Sequence, residues 1–409
     1  MKRTSSWRRS VQLLAFGVLV AQIAFSMAAP LLPVYLSDLG LRKNVALWSG
    51  LIFSINSVTF GIMSPIWGSI SDRYGKRPMI LRAGVGMGIT YALMSMAHDH
   101  IQLFLLRGLN GMLSGYIPAV ITLVTTIAPE ARLGWALGTV QSASAIGVIM
   151  GPLVGGLAAQ FLGIRASFIF SSILLIVAAL VPYFWVGEPP VQRKDRISVS
   201  ADVKLVLGIP AVRVFLAVFL FVQAAAMVVQ PTIPLFVAAI MKSDAGVPVT
   251  SGLVFSLVGI STALGCPLIA KTRDSQYGAV MLASLFLASG LNLIQGFSAT
   301  VFALAVARFL FGFANAGITV SGNVLFASAT PKDARGRAFG LLNSITSIGS
   351  VLGPILGGFL GETLGLRSSF WGSSVLFFVA GILAVTGTRV AKREARPTVA
   401  ETELANSRE

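Results

Sequence analysis

The sequence of 409 residues is poor in charged residues and contains very little cysteine or histidine. Only 11 % of its residues are charged, whereas a soluble protein carries about 25 %. The single cysteine, Cys266, excludes a disulfide framework, and with two histidines the chain shows no spacing typical of a metal site. The Gly-x4-Gly-Lys-Ser/Thr motif that cradles nucleotide phosphates is also missing, which argues against an ATP-driven machine. We expect neither an enzyme nor a bound cofactor.

Apolar residues and positive charge are both in excess. Hydrophobic residues make up 55 % of the chain, the mean hydropathy is +0.83, and the net charge is +16. Such a charge can indicate nucleic-acid binding, but here the basic residues lie between long apolar runs, where membrane proteins have their cytoplasmic loops. We therefore predict an all-α membrane protein that contacts the lipid bilayer and no nucleic acid. The first run, Val11–Leu32, is too long for a signal peptide and is predicted to be an uncleaved membrane helix.

Twelve apolar runs have the length that a bilayer requires. We predict transmembrane helices at about 11–35, 48–69, 79–97, 101–124, 135–160, 166–186, 211–239, 250–270, 278–296, 300–326, 337–361 and 367–388. The predicted units are an N-terminal six-helix bundle at 1–186, a cytoplasmic linker at 187–210, a C-terminal six-helix bundle at 211–388 and a cytoplasmic tail at 389–409. With both termini in the cytoplasm, 24 of the 31 Lys and Arg residues fall on the cytoplasmic side, as the positive-inside rule requires.

A ladder of glycines occurs twice, about 200 residues apart. The first copy reads GVIMGPLVGG and the second GSVLGPILGG. On a helix, glycines four residues apart share one face and let another backbone approach closely. Because other segments repeat at the same shift of 201 or 202 residues, we predict two pseudo-symmetric bundles with a substrate site between them. The ladder residues are Gly147, Gly151, Pro152 and Gly155 in the first copy and Gly349, Gly353, Pro354 and Gly357 in the second.

The loop after the second predicted span reads Gly-Ser-Ile-Ser-Asp-Arg-Tyr-Gly-Lys-Arg-Pro from Gly68 to Pro78. It resembles the signature loop of the major facilitator superfamily, which implies the major facilitator fold of twelve helices in two bundles. In that family the loop latches the two halves together on the cytoplasmic side, so the resemblance implies that Asp72 and Arg73 stabilise an outward-open state. For Lys76 and Arg77, the alternative is that these basic residues only fix the orientation of the chain in the membrane. The predicted gating residues are Gly68, Asp72, Arg73, Gly75, Lys76 and Arg77.

Two segments narrow the resemblance. Pro30-Leu-Leu-Pro33 is similar to the first-helix motif of twelve-span bacterial multidrug:proton antiporters, and the first glycine ladder is similar to a motif associated with exporters. The resemblance implies proton-coupled efflux of small amphiphilic molecules by alternating access, driven by the proton gradient without a cofactor. We expect a monomer in the bacterial cytoplasmic (inner) membrane. A carrier for a specific metabolite, sugar or lipid is the alternative, and a transport-dead sensor is less favoured because the longest loop has about 24 residues.

Arg107 lies in the fourth predicted span, about six residues below its outer end. A charge inside the membrane costs about 2.5–3.5 kcal/mol or more and is by default a functional hypothesis. In the family, the arginine of the fourth helix takes part in proton coupling. The alternative is that Arg107 reaches to the outer interface, and Arg308 repeats the position, so a structural role for both stays open.

Amide, aromatic and methionine side chains at mid-depth are candidates for a substrate cavity, because methionine repacks around varied lipophilic molecules. Amides also hold helices together, so ordinary helix packing is the alternative for each of them. The candidates are Gln22, Phe25, Ser26, Met27, Asn56, Asn110, Ser114, Tyr116, Gln141, Gln223, Met227, Gln230, Phe313, Asn315 and Asn343.

None of the fifteen carboxylates lies in the middle of a predicted span. Many relatives that export cationic drugs have an acid inside the membrane, so this chain departs from their pattern. The remaining candidates for proton coupling are Asp38, just past the outer end of the first span, and Asp72. We expect Asp38 to approach Arg107 near the outer mouth and to couple its protonation to the conformational change. Without a buried acid, neutral or anionic amphiphiles are expected in preference to dications.

Overall fold

We describe the fold from a computed structural model of the chain. The structure describes residues 7–188, 207–243, 246–331 and 334–394. Most of the predicted linker 187–210 and of the predicted tail 389–409 lies outside these ranges, so both remain predictions.

The described residues form helices and no strands. In the first half they are α1 (Trp7–Ser26), α2 (Ala28–Asp38), α3 (Val45–Tyr74), α4 (Lys76–Ser95), α5 (His100–Leu113), α6 (Tyr116–Ile127), α7 (Leu133–Leu162) and α8 (Ile164–Trp185). In the second half they are α9 (Pro210–Val228), α10 (Ile233–Met241), α11 (Val247–Ile269), α12 (Tyr277–Gly296), α13 (Val301–Ser328), α14 (Arg335–Thr363) and α15 (Arg367–Glu394). Short 3-10 turns precede α7 and α12. The predicted all-α fold class is confirmed.

Eleven segments of the described chain are long and apolar enough to cross a membrane. The predicted span that is not among these eleven is the third, 79–97, which corresponds to α4, a helix of 20 residues that carries Lys76, Arg77 and Arg82. Three predicted spans are interrupted. The first divides into α1 and α2 at Met27, the fourth into α5 and α6 at residues 114–115, and the seventh into α9 and α10.

The two halves pack their helices in the same way. α1 packs against α7 and α8, and the matching α9 packs against α14 and α15. α4 packs against α8, as α12 does against α15. Each half has its own apolar core. This correspondence agrees with the predicted internal repeat.

Helices from different halves meet along two seams, one between α3 and α14 and one between α7 and α11. Both seams are closed at the end where α3 and α11 begin, which the predicted orientation places outside the cell. There, Gly50 faces the backbone of Pro354, and the matching Gly252 faces the backbone of Pro152. Among the described residues, four hydrogen bonds cross the seams at this end, including one from Ser256 Oγ to the carbonyl of Ile149 at 2.6 Å.

The opposite ends of three seam helices are open. A Cβ atom added at any of six glycines at these ends would meet no atom within 4 Å. At the closed end, by contrast, a Cβ atom at Gly50 or Gly252 would meet the backbone of the other half. The side chain of Ile62 in α3 is 64 % exposed at this end. The structure is therefore closed on the predicted outer side and open on the predicted cytoplasmic side. The six glycines are Gly61 and Gly68 in α3, Gly134 and Gly138 in α7, and Gly336 and Gly340 in α14.

Candidate functional site

The predicted cavity residues divide into two groups. Ten of them are at least partly exposed, and they lie on α1, α7, α9, α13 and α14 and, in the case of Gln230, between α9 and α10. Gln22 of α1 donates a hydrogen bond to Ser144 of α7 at 3.3 Å, and the matching Gln223 of α9 donates to Ser350 of α14 at 2.9 Å, one helical turn beyond the position that matches Ser144. The ten residues are Gln22, Phe25, Ser26, Gln141, Gln223, Met227, Gln230, Phe313, Asn315 and Asn343.

The other five are buried within the first half in this conformation, because each is used for helix packing. Asn56 donates to Asn110 at 3.0 Å, and Asn110 donates to Thr90 at 2.7 Å, so these amides connect α3, α5 and α4. The Tyr116 hydroxyl donates to the carbonyl of Ala178 at 2.7 Å. Met27, Asn56, Asn110 and Tyr116 were expected in the cavity but are buried, whereas Ser114, although buried, borders a separate cavity inside the first half. The five are Met27, Asn56, Asn110, Ser114 and Tyr116.

A groove of about 700 Å³ between α1 and α7 was not predicted from the sequence. It is lined by Phe16 and Leu19 of α1 and by Trp135, Ser142 and Ile146 of α7. The large apolar side chains Phe16, Trp135 and Ile146 are 46–51 % exposed along it. Such a wall, with a few hydroxyl groups, is suited to lipophilic molecules. In the sequence these residues are not distinguishable from lipid-facing ones.

Arg107 lies deep in the first half with 4 % of its surface exposed. Its Nη1 atom lies 3.4 Å from the Tyr91 hydroxyl, and its guanidinium carbon lies 5.9 Å from the centre of the Phe25 ring. The guanidinium is therefore held by a phenol and an aromatic face. Arg308 of the second half is equally buried, and its guanidinium carbon lies 5.8 Å from the centre of the Phe370 ring, but its Nε and Nη2 atoms have no hydrogen-bond partner among the described residues.

Asp38 borders a cavity of about 510 Å³ at the end of α2, together with Tyr35 and Arg165. The Tyr35 hydroxyl donates to the carbonyl of Met94 at 3.0 Å, and Arg165 donates to the carbonyl of Ala97 at 3.4 Å. The cationic side chain that lines the same cavity as Asp38 is therefore Arg165. The predicted approach of Asp38 to Arg107 stays a prediction.

The signature loop connects α3 to α4 through Gly75, whose φ of +99° lies in the region that favours glycine. Asp72 forms an ion pair with Lys76 at 2.5 Å, and 76 % of the Asp72 side chain is exposed. The guanidinium of Arg73 lies 5.4 Å from the centre of the Tyr74 ring. Gly68 faces open space. In this open arrangement the Asp72 carboxylate bonds within its own loop.

Glu188, which follows α8, fixes the start of α4. Its carboxylate accepts hydrogen bonds from the backbone N–H of Lys76 at 2.6 Å and of Arg77 at 3.0 Å. The Arg77 side chain donates to the carbonyl of Tyr183 in α8. An acidic side chain at a helix N-terminus satisfies free amides and complements the helix dipole. The signature loop is thereby attached to the segment that leads into the predicted linker.

The glycine ladders bind helices within each half. A Cβ atom at Gly151 would lie 2.7 Å from the carbonyl oxygen of Ile23, and one at Gly155 would lie 2.7 Å from that of Met27, both in the first span. Gly349 and Gly353 face α9 in the same way. The next glycine of each ladder, Gly156 or Gly358, faces the other half instead. Each ladder therefore packs within its own half and ends at the seam.

Glu362 joins the halves at the closed end. Its carboxylate at the end of α14 accepts hydrogen bonds from the backbone N–H of Asn44 at 2.8 Å and of Ala46 at 3.2 Å, at the start of α3. The position that corresponds to Glu362 in the first half, at a shift of 202, is Gln160. The carboxylate clamp therefore occupies one of the two seams.

We expect Glu362→Ala to favour opening of the closed end. Loss of a helix N-cap costs about 0.5–2 kcal/mol, which corresponds to about a 2- to 30-fold change in population. The measurement is labelling of Ala46→Cys, a position that is 2 % exposed, by an impermeant maleimide in a Cys266→Ser background. Glu362→Gln keeps one acceptor oxygen and should give an intermediate rate. Glu130→Ala, at the open end, is the control, and equal labelling in all variants would contradict a clamp.

A family model described as Major Facilitator Superfamily matches residues 14–279 and 277–407 of the chain. The chain is 32 % identical over 374 residues to the multidrug resistance protein MdtG of Salmonella paratyphi A (strain ATCC 9150 / SARB42), covering 89 % of this chain and 92 % of the relative. It is 33 % identical over 373 residues to MdtG of Salmonella schwarzengrund (strain CVM19633), with the same coverage.

Solved structures share the fold at low sequence identity. An inward-facing, unoccupied bacterial homologue of the human lysosomal transporter Spinster superposes with a TM-score of 0.79 at 16 % identity, covering 97 % of this chain and all of that one. The nucleoside transporter NupG superposes with a TM-score of 0.75 at 14 % identity, covering 94 % and 99 %.

Proposed function

Since the chain belongs to the Major Facilitator Superfamily, we propose that it is a proton-coupled exporter of lipophilic or amphiphilic molecules that works by alternating access. The observation that carries the proposal is the geometry of the two seams. They are closed by backbone contacts at one end and open at the other, as required of one state of a carrier that exposes its site to one side at a time. The drug-resistance names of the MdtG relatives support export.

The substrate class follows from the lining of the open space. The groove between α1 and α7 is mainly apolar, with Phe16 and Trp135 exposed along it, and the ten candidates that are at least partly exposed are amides, phenylalanines, one methionine and one serine. No carboxylate lies in the middle of a span, so neutral or anionic amphiphiles are favoured over dications. The test is a resistance and efflux profile in cells without their own exporters, with and without a collapsed proton gradient. A clear preference for a lipophilic cation over a neutral drug would count against this substrate class.

Proton coupling is proposed for Asp38, Arg107 and Asp72. Of the two carboxylates, Asp38 is the favoured candidate for proton coupling. It borders a cavity together with Arg165 on the predicted outer side, where a proton would enter. Asp38→Asn is expected to reduce pH-driven transport in proteoliposomes by about tenfold or more, a loss of roughly 1.4 kcal/mol of coupling. Asp99→Asn is the matched control on the same side, since Asp99 caps α5 and asparagine also caps helices. If Asp38→Asn leaves pH-driven transport intact, Asp38 is not the coupling residue.

The signature loop is proposed to act as the latch of the alternate state. Asp72 and Arg73 are exposed at the open end, where they are available to the start of α14 when that end closes. Both termini and the linker are proposed to be cytoplasmic, and the chain is proposed to act as a monomer in the bacterial inner membrane.

A carrier for one metabolite, sugar or lipid on the same fold is the second candidate. The nucleoside transporter NupG shares the fold, but at 14 % identity this likeness concerns the fold alone. Saturable transport of one compound, without resistance to several unrelated ones, would favour this alternative.

A further inference from the structure

A cavity of about 340 Å³ lies inside the first half, between α3, α4 and the junction of α5 with α6. It is separate from the groove between α1 and α7. Lys76 and Asp72 border its cytoplasmic end, and Arg82, Trp67 and Ser114 form its inner part. With a rise of 1.5 Å per residue, Arg82 lies about 9 Å further along α4 than Lys76. The cavity therefore extends from the predicted cytoplasmic surface into the membrane.

Arg82 carries an uncompensated positive charge in this cavity. Its guanidinium carbon lies 3.5 Å from the centre of the Trp67 ring, and its Nη2 atom donates to the carbonyl of Ser114 at 3.1 Å. The Nε and Nη1 atoms are buried and have no hydrogen-bond partner among the described residues. Lys76 differs, because Asp72 neutralises it. A half-buried guanidinium with unused donors is a binding group for an oxyanion, since its planar donors match carboxylate and phosphate.

The fold itself does not require this arrangement. In the second half, the positions that correspond to Arg82 at shifts of 201 to 203 are Ala283, Ser284 and Leu285, none of which is charged. Trp67 corresponds to Ile269 at a shift of 202. The helix junction is also confined to the first half, because α13 is continuous where α5 and α6 are separated. A feature needed only for packing would be expected in both halves of the repeat.

The junction supplies what holds Arg82 in place. Gly115 has a φ of +122°, which favours glycine, and the chain interruption leaves the Ser114 carbonyl free to accept from Arg82. The aromatic face of Trp67 fixes the other side of the guanidinium, while the Trp67 indole N–H donates to the carbonyl of Met112 at 2.7 Å. Arg82 is thereby held in the wall of the cavity with two of its donor atoms unused.

We propose that this cavity binds the singly charged oxyanion of an amphiphile that enters from the cytoplasmic side. The anion binds at Arg82, and the apolar walls formed by Met79 and Pro118 receive the adjoining carbons. The chemistry is shared by two sources, the phosphate of an anionic phospholipid of the inner leaflet and the carboxylate of a fatty-acid-like molecule. The cavity volume accommodates the headgroup and not a complete lipid, so the remaining chain extends into the bilayer.

The test measures binding to the purified full-length protein in a neutral detergent. The probes are dihexanoyl-phosphatidylglycerol, dodecanoate and, as the zwitterionic reference, dihexanoyl-phosphatidylcholine, each titrated while the Tm is followed. We expect at least one anionic probe to bind about tenfold more tightly than the reference, and Arg82→Gln to remove this preference. Arg82→Lys retains the charge without the planar donors and should bind with intermediate affinity. Arg132→Gln, an exposed cytoplasmic-side arginine outside the cavity, should change the affinity less than twofold.

The outcomes separate the two sources. Tighter binding of phosphatidylglycerol alone assigns the site to a lipid, and tighter binding of dodecanoate alone assigns it to a carboxylate. The proposal is overturned if neither anion binds better than phosphatidylcholine, or if Arg82→Gln with wild-type circular dichroism binds as the wild type does. Because the assay measures binding and not transport, its result is independent of the proposed export function.

Discussion

Gly50→Ala is expected to slow transport by about tenfold or more, because it prevents the predicted outer end from closing tightly. A Cβ atom at Gly50 would collide with the carbonyl oxygen of Pro354 and would lie 3.2 Å from the Cα of Gly358, both in the opposite half. These are backbone atoms of a packed helix, so the seam itself must separate. Overpacking of this kind costs about 1–3 kcal/mol, which shifts the balance between the two conformations by about 5- to 150-fold. Efflux should fall by about tenfold or more, and Ala46→Cys should become accessible to maleimide from outside.

The matched control is Gly61→Ala on the same helix. A Cβ atom at Gly61 meets nothing within 4 Å, so this substitution adds the same methyl group and the same gain in helix propensity without a collision. Wild-type efflux is expected. If Gly50→Ala transports at the wild-type rate and Ala46→Cys is still protected from maleimide, tight packing at Gly50 is not required for closure of the outer end.

The second large effect is expected for Gly357→Ala, and it concerns stability. A Cβ atom at Gly357 would collide with the carbonyl oxygen of Val228 and would lie 3.0 Å from the Val228 Cα atom, both within the second half. The collision cannot be relieved by separating the halves, because α14 and α9 belong to the same bundle. With a cost of about 1–3 kcal/mol, and about 2–4 °C per kcal/mol for a bundle of roughly 180 residues, we expect the Tm in detergent to fall by about 2–12 °C.

Gly340→Ala on the same helix is the control for Gly357→Ala. Gly340 lies at the open end with no atom near its Cβ position, so alanine there should leave the Tm unchanged or raise it slightly. Equal Tm values for the two variants would mean that α14 and α9 are not in close contact at Gly357 and Val228.

Much of the fold was predictable because a membrane helix requires a long run of apolar residues, which is visible in the sequence. The internal repeat was also visible, since the glycine ladder recurs at a shift of 202 residues and Arg107 recurs as Arg308 at a shift of 201. Run length alone did not reveal the interruptions at Met27 and Ser114, because a helix can break locally without any change in hydropathy.

The candidate site was less predictable, because burial and partner choice depend on helix rotation. Tyr116 was expected in the cavity but donates to a carbonyl of α8, and Asn110 bonds to Thr90. Glu362 and Arg82 were passed over because a single acid near a helix end and a single arginine near a basic loop look like topology signals. Their contacts, across the seam and inside a cavity, arise only when distant helices pack together.

The central claim, export driven by a proton gradient, is tested most directly with the purified protein in liposomes. A neutral lipophilic fluorescent drug is supplied, a pH gradient is imposed, and the rate of drug movement across the membrane is recorded before and after a protonophore. We predict that the drug moves against its gradient while the pH gradient lasts and that this movement stops when the pH gradient collapses. With Gly50→Ala we predict movement that is slower by about tenfold or more. Drug movement that is the same with and without the pH gradient would contradict the account.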